Sequence, residues 1–194
     1  GEIIDIKFVL DLEKDIEKKF ESLNNYDLLI TSGGLSVGKY DLIKSSLKKK
    51  NLSIIFEKIL IKPGKPISFG KLEKNKYFLG LPGNPVSCFI GSIFFLNQIM
   101  QNLKGERNKY FEPIFAKSAS FLKRNNHLTS INRLKIIKKK NCYFFKVFDS
   151  QDSSLLNLLV KSDGFIIREP NSPNIRVGSK HEIFLFSDFK NFKI

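Results

Sequence analysis

The chain has 194 residues, and 33 Lys+Arg stand against 19 Asp+Glu, a formal charge of +14. At 42% hydrophobic and 27% charged it has the composition of a folded chain, long enough to bury a core, and this excludes intrinsic disorder. Its two cysteines, Cys88 and Cys142, are too few and too isolated for a disulfide framework or a structural zinc site.

In chain order, Ile3 to Val9 is a short β-rich run. Asp11 follows as a candidate N-cap, with Leu12, Ile16, Phe20 and Leu23 at helical spacing and Asn24-Asn25 as a stop. Leu28-Leu-Ile-Thr31 is an unbroken apolar strand, expected at the buried centre of a parallel sheet, and it runs into Gly33-Gly34. Asp41 opens a second helix with Leu42, Ile43 and Leu47 on one face. Ser53 to Ile61 reads as extended, and Ile67-Ser-Phe69 and Tyr77-Phe-Leu79 read as strands around a turn at residues 73–75. An apolar helix over Val86 to Leu103 completes an α/β layer domain, residues 1–104.

Residues 105–112 form a charged connector. Beyond it the period shortens. Ile114 to Leu122, Ile131 to Ile137, Cys142 to Phe148, Phe165 to Arg168 and Glu182 to Phe186 are β-rich runs between turn signals. Residues 113–194 are expected to form a small all-β, barrel-like domain.

Three loops of the α/β half carry the candidate chemistry. In Thr31 to Asp41 a buried strand ends in glycines and a helix begins soon after. Glycine permits close backbone approach, and a helix N-terminus favours an anion by roughly 0.3–1 kcal/mol. Ligands of open α/β sheets sit at such strand ends. Lys62-Pro-Gly-Lys-Pro66 is a stiff loop with two projecting cations, suited to phosphate or another oxyanion; a solvated hairpin turn is the plainer reading. In Gly80-Leu-Pro-Gly-Asn-Pro-Val-Ser87, Asn84 is placed to cap a helix that Pro85 begins. Asp11 and Asp41 read first as helix caps. As two carboxylates at neighbouring strand ends they also suit Mg²⁺, which takes one or two carboxylates plus substrate phosphate oxygens.

The stretch Asp27-Leu-Leu-Ile-Thr-Ser-Gly-Gly-Leu-Ser-Val-Gly-Lys-Tyr-Asp41, followed by the Lys62–Pro66 and Gly80–Ser87 loops, resembles the molybdopterin molybdenumtransferases, the molybdenum insertases that include the C-terminal region of gephyrin. The β half resembles that family's C-terminal domain more loosely, through Phe165-Ile-Ile and Arg176-Val-Gly178. The resemblance implies a three-layer molybdopterin-binding domain, here without its first strand, and then the β domain. It implies an enzyme that inserts molybdate into adenylylated molybdopterin, with Mg²⁺ and release of AMP. It implies a pterin-nucleotide pocket lined by Gly33, Gly34, Ser36, Val37 and Gly38. Asp41 would act in catalysis and hold the metal near the phosphates, and Asp11 matches another acidic catalytic position. Lys62, Pro63, Gly64, Lys65 and Pro66, with Pro82, Gly83, Asn84, Pro85 and Ser87, would complete the anionic pocket. Family members are about twice as long, act as homodimers and bind small anionic substrates, so this chain reads as a piece of a longer protein. It departs from the family at Asp152-Ser-Ser154, where Gly-Ser-His is usual, and lacks the usual Gly-Arg turn ahead of Arg133.

The longest apolar run, Cys88 to Leu96, is short of the roughly 20 residues of a membrane span, and no basic n-region opens the chain. A cytoplasmic protein without membrane contact is expected. The alternatives are a molybdopterin adenylyltransferase, a basic nucleic-acid-binding module and a non-catalytic scaffold. The trailing β domain speaks against the first. The lysine surplus, with only Arg107, Arg124, Arg133, Arg168 and Arg176 as arginines, fits an AT-rich genome better than a nucleic-acid surface, and the core claims most of the phenylalanines.

Overall fold

The computed structural model describes residues 1–34, 42–73, 75–106, 112–139 and 142–189. It divides into two compact units, Gly1–Ile59 with Gly64–Glu106, and Leu60–Pro63 with Arg107–Ile194.

The first unit is built on a four-stranded sheet of order β1 (Leu28–Ser32), β5 (Tyr77–Leu81), β4 (Ser68–Lys71), β2 (Ser53–Glu57). β1 runs parallel to β5, and β4 is antiparallel to both β5 and β2. Helices α1 (Glu13–Glu21) and α2 (Leu42–Lys48) cover one face. Ile16 and Phe20 of α1, four residues apart on one stripe, pack with Ile43, Leu47, Leu52, Leu72 and Phe78. Strand alternation turns Leu79 and Leu81 to the other face, where they meet Ile67, Phe95, Leu96 and Ile99. That face is covered by α3 (Pro85–Gly91), a π-helical turn Ser92–Leu96 and α4 (Asn97–Leu103), continuous over Pro85–Leu103. The helix comes close at Gly91, where a Cβ would stand 2.7 Å from Leu81 Cδ2. Its 19 residues have a mean hydropathy of 1.2, enough by length and composition for a membrane span, yet Val86, Ile90 and Ile93 are buried within the fold. This is the three-layer arrangement expected from the sequence.

Four local expectations need correction. Ile3 to Val9 forms no strand: none of its residues pairs, and Phe8 is 94% exposed. β propensity needs a partner strand to act on. β1 lies at the sheet's edge rather than its centre. Asp11 caps nothing: the N-cap of α1 is Leu12, without a side-chain bond, and Asp15 Oδ2 accepts from the Leu10 N–H at 3.0 Å. The Ser53–Ile61 run breaks at Lys58, which has φ 55°, and continues as β3 (Ile61–Lys62) in the second unit.

The second unit is a barrel. β6 (Ile114–Ser118), β7 (Thr129–Lys139), β8 (Cys142–Val147), β9 (Gly164–Arg168) and β10 (Lys180–Leu185) pair in the order β7-β8-β6-β10-β9, and β9 returns to β7. Five strands therefore close, while β3 adds to β7 outside the ring through Ile61↔Thr129 and Lys62↔Ser130. Ala116, Leu134, Phe145, Val147, Ile166, Ile175 and Ile183 fill the interior. A short helix, α5 (Leu156–Val160), precedes β9.

Candidate functional site

Sheet register places the motif loops at one end of the first unit's sheet. Thr31↔Gly80 and Ser32↔Leu81 align the carboxyl ends of β1 and β5, and Ser68↔Gly80 puts the start of β4 beside them. The loop after β1, the loop after β5 and the segment entering β4 therefore emerge together.

The first two loops touch. Gly33 and Gly34 have φ +88° and +67°, which glycine adopts without strain. The Gly33 N–H donates to Leu81 O at 3.1 Å, and Ser32 Oγ reaches Pro82 O at 3.5 Å. A Cβ on Gly83 would lie 3.2 Å from Gly33 Cα, so the two backbones meet closely enough that a side chain there would push them apart. A Cβ on Gly34 would collide with Ile43 Cδ1 and stand 4.0 Å from Asp11 Oδ1. The Asp11 carboxylate is thus beside the glycine loop, its candidate role as a cap replaced by a place at the loop. Asn84 caps α3 as expected: its Oδ1 accepts from the N–H groups of Val86 (3.1 Å) and Ser87 (3.4 Å), with Pro85 in the first turn. Pro82 and Ser87 are buried, and Gly83 is exposed.

The Lys62–Pro66 loop is no hairpin turn. Lys62 and Pro63 belong to the barrel unit, and Gly64, Lys65 and Pro66 to the sheet unit, where Gly64 O accepts from Ile67 N–H at 3.0 Å just before β4. Both lysines are exposed. Ser36, Val37, Gly38 and Asp41 lie outside the described residues. Among the described residues no group of three or more His, Cys, Asp or Glu converges as a metal site.

Two hydroxyls escaped the sequence reading. Thr31 Oγ1 and Ser68 Oγ are buried without a partner and flank Gly80 across the sheet. Their only sequence signal is adjacency to the loops. In the barrel, Arg133 is the other omission. Its guanidinium is buried and donates to Asp152 O (2.8 Å) and Leu155 O (3.2 Å), and burial pulls its pKa down. The Gln151 side chain brackets the Arg133 backbone. Asp152 Oδ1 accepts from Ser154 N–H at 2.8 Å and from Ser154 Oγ at 2.9 Å, and these bonds, with the Arg133 and Lys62 charges, lower its pKa.

Residues 1–124 match the family model described as "Probable molybdopterin binding domain". The chain belongs to the molybdopterin-binding domain family. Residues 116–186 match a second model, "MoeA C-terminal region (domain IV)", which accounts for the barrel. Molybdopterin molybdenumtransferase of Haemophilus influenzae is 36% identical over 184 residues, 91% of this chain and 44% of that protein. The Staphylococcus epidermidis enzyme of the same name is 32% identical over 125 residues, 64% of this chain and 30% of that protein. The fold matches the crystal structure titled as the molybdopterin biosynthesis moea protein of Pyrococcus horikosii, with TM-score 0.67 and 22% identity over 90% of this chain and 40% of that one. The chain thus spans less than half the length of the curated relatives it matches. The resemblance seen in the motifs is borne out, as is the two-part fold. The relatives support molybdenum-cofactor biosynthesis and none of the three alternatives.

Proposed function

We propose that this chain supplies the pterin-binding part of a molybdopterin molybdenumtransferase, which inserts molybdate into adenylylated molybdopterin and releases AMP. The observation that carries the reading is the backbone contact between Gly33 and Gly83, with the Asp11 carboxylate beside Gly34. Three features then serve one highly anionic substrate. The glycine loops let main-chain N–H groups approach phosphate, exposed Lys65 offsets its charge, and the capped start of α3 adds a favourable dipole. The work of such a site is positioning and charge stabilisation.

A carboxylate oxygen at Asp11 is the kind of hard donor that Mg²⁺ prefers, and it is the one such donor that the described residues bring to the glycine loop. Asp11 and Asp41 would hold it, and it would neutralise phosphate charge as the adenylate leaves. We place the protein in the cytoplasm and expect the whole protein to work as a homodimer.

Calorimetric titration with adenylylated molybdopterin, with and without Mg²⁺, tests the reading. Saturable, Mg²⁺-strengthened binding is expected, and no binding by the folded chain would remove it. In the intact protein, Asp41→Asn should keep the fold and lower molybdenum insertion at least tenfold. Lys65→Ala should weaken pterin binding more than it lowers thermal stability, and equal loss of both would return the loop to a plain connection.

A further inference from the structure

The outer face of the barrel carries a second patch, far in sequence from the glycine loops. Ala116, Leu134, Phe145 and Ile183 point inward, so the residues that alternate with them point out. On β7 these are Lys135, Ile137 and Lys139; on β8, Cys142, Phe144 and Lys146. On β6 they are Phe115 and Lys117, and on β10, Lys180 and Glu182.

Register gathers them. Ile137 stands opposite Phe144, Phe144 beside Lys117, and Lys117 opposite Lys180. Lys135 stands opposite Lys146, Lys139 opposite Cys142, and Phe115 opposite Glu182. The result is an apolar group of Ile137, Phe144 and Phe115 with five lysines and one carboxylate, Glu182, around it. Phe115 is 55% exposed, an exception to the expectation that the core claims most of the phenylalanines. Lys180 Nζ lies 4.7 Å above the Phe115 ring, and Lys139 Nζ lies 5.8 Å from the Phe144 ring centre. Lys135 pairs with Asp163 at 2.7 Å; among the described residues no carboxylate pairs with Lys117, Lys139, Lys146 or Lys180.

Such a face costs the isolated fold something. Like charges directly opposite on neighbouring strands repel, and here this happens twice, at Lys135↔Lys146 and Lys117↔Lys180. Acidic groups on a partner would reverse the sign of that term. An apolar centre inside a charged rim is the anatomy of a protein–protein interface. Lysines are hydrated point charges on long stems, suited to steering a short-lived encounter. With no arginine on the face, the forks that read nucleic-acid bases are missing.

We propose that the outer face of β7, β8, β6 and β10 docks a protein surface with an acidic rim and an apolar, aromatic centre. The complex is transient and steered by charge. It is independent of the pterin loops.

Three fluorescent probes test this on the full chain by anisotropy: a random copolymer of glutamate and tyrosine, polyglutamate of the same length, and single-stranded oligo-dT. The copolymer should bind at least threefold tighter than polyglutamate, and Phe115→Ser should abolish that advantage. Lys117→Glu with Lys146→Glu should weaken copolymer binding at least tenfold, and Lys117→Gln alone should weaken it in the same direction. Reversing two lysines of α1, Lys14→Glu with Lys18→Glu, should change it less than twofold. Oligo-dT binding tighter than the copolymer would overturn the proposal in favour of nucleic acid. Equal losses from the α1 and barrel reversals would overturn it in favour of general charge. None of these results depends on pterin binding, so failure here leaves the proposed enzyme reading untouched.

Discussion

The sheet unit and the barrel satisfy their backbones in different ways. The barrel closes, so each of its five strands has two neighbours. The sheet stays open, with β1 and β2 at its edges and Ile30 of β1 42% exposed. The buried polar groups differ as well. In the barrel, Arg133 and Arg168 are buried and donate to carbonyls of Asp152, Leu155, Lys123 and Pro173, which fixes loops to the wall. In the sheet unit, Thr31 and Ser68 hold buried hydroxyls without partners at the end where the glycine loops emerge; the barrel's own unpartnered atoms, Ser120 Oγ, Ser172 Oγ and Arg168 Nε, lie away from any such loop pair. Closure pairs every barrel strand on both sides, whereas the open sheet frees its strand ends for the glycine loops.

One substitution tried in both units sharpens that contrast. In the barrel, a Cβ at Gly164 would run into the Phe184 carbonyl, and β9 cannot yield without parting from β10. Gly164→Ala should cost about 3 kcal/mol in urea unfolding. In the sheet unit, Gly83→Ala meets only the Gly33 backbone at 3.2 Å, in a loop that can shift a few tenths of an ångström. It should cost about 1 kcal/mol, yet weaken adenylylated molybdopterin binding at least tenfold by parting the loops. Equal stability losses, or unchanged binding in Gly83→Ala, would erase the distinction.

What could be read ahead of the structure divides along the same line. The Ile16/Phe20 spacing, the Asn84-Pro85 helix start and the five barrel runs all carry local chemistry strong enough to locate their elements. The touching of Gly33 and Gly83 has no local signal, because it depends on β1 and β5 being neighbours whose partners, such as Thr31 and Gly80, stand 49 residues apart in sequence. Ile3 to Val9 misled because apolar, β-branched residues signal a strand whether or not a partner strand pairs with them. Leu156–Val160 is too short to show a helical period. The break at Lys58 gave no sign either, since lysine at positive φ has no compositional signature, unlike Asn25, Asn51, Asn75 and Asn171, which adopt it in turns. The buried arginines of the barrel could not be told from surface ones in a chain so rich in cations.

A smaller effect probes the helix start in the sheet unit. Asn84→Ala removes the acceptor for the Val86 and Ser87 N–H groups and should cost about 1 kcal/mol, while Asn84→Asp should recover most of it. If both variants unfold with the parent, the cap contributes nothing and the loop is held by Gly33 and Pro82 alone.

The smallest expected effect lies in the barrel and is a matter of pH. His181 is half-buried, with its Nε2 2.8 Å from Ser179 Oγ and its ring edge-on to Phe145. Burial, and then the Arg168 charge, hold its pKa below the ordinary imidazole value. The unfolded chain therefore binds this proton more readily than the folded one, so stability rises with pH through that window. The contribution is complete above about pH 6.5 and is lost as pH falls through the lower, folded value. Melting temperatures from pH 7.5 down to 5 should fall for the parent and fall less for His181→Gln, which keeps a polar group beside Ser179 but cannot take up the charge. A parallel decline in both proteins would mean that the acid sensitivity belongs to carboxylates elsewhere, and that Arg168 and His181 share the barrel wall without electrostatic consequence.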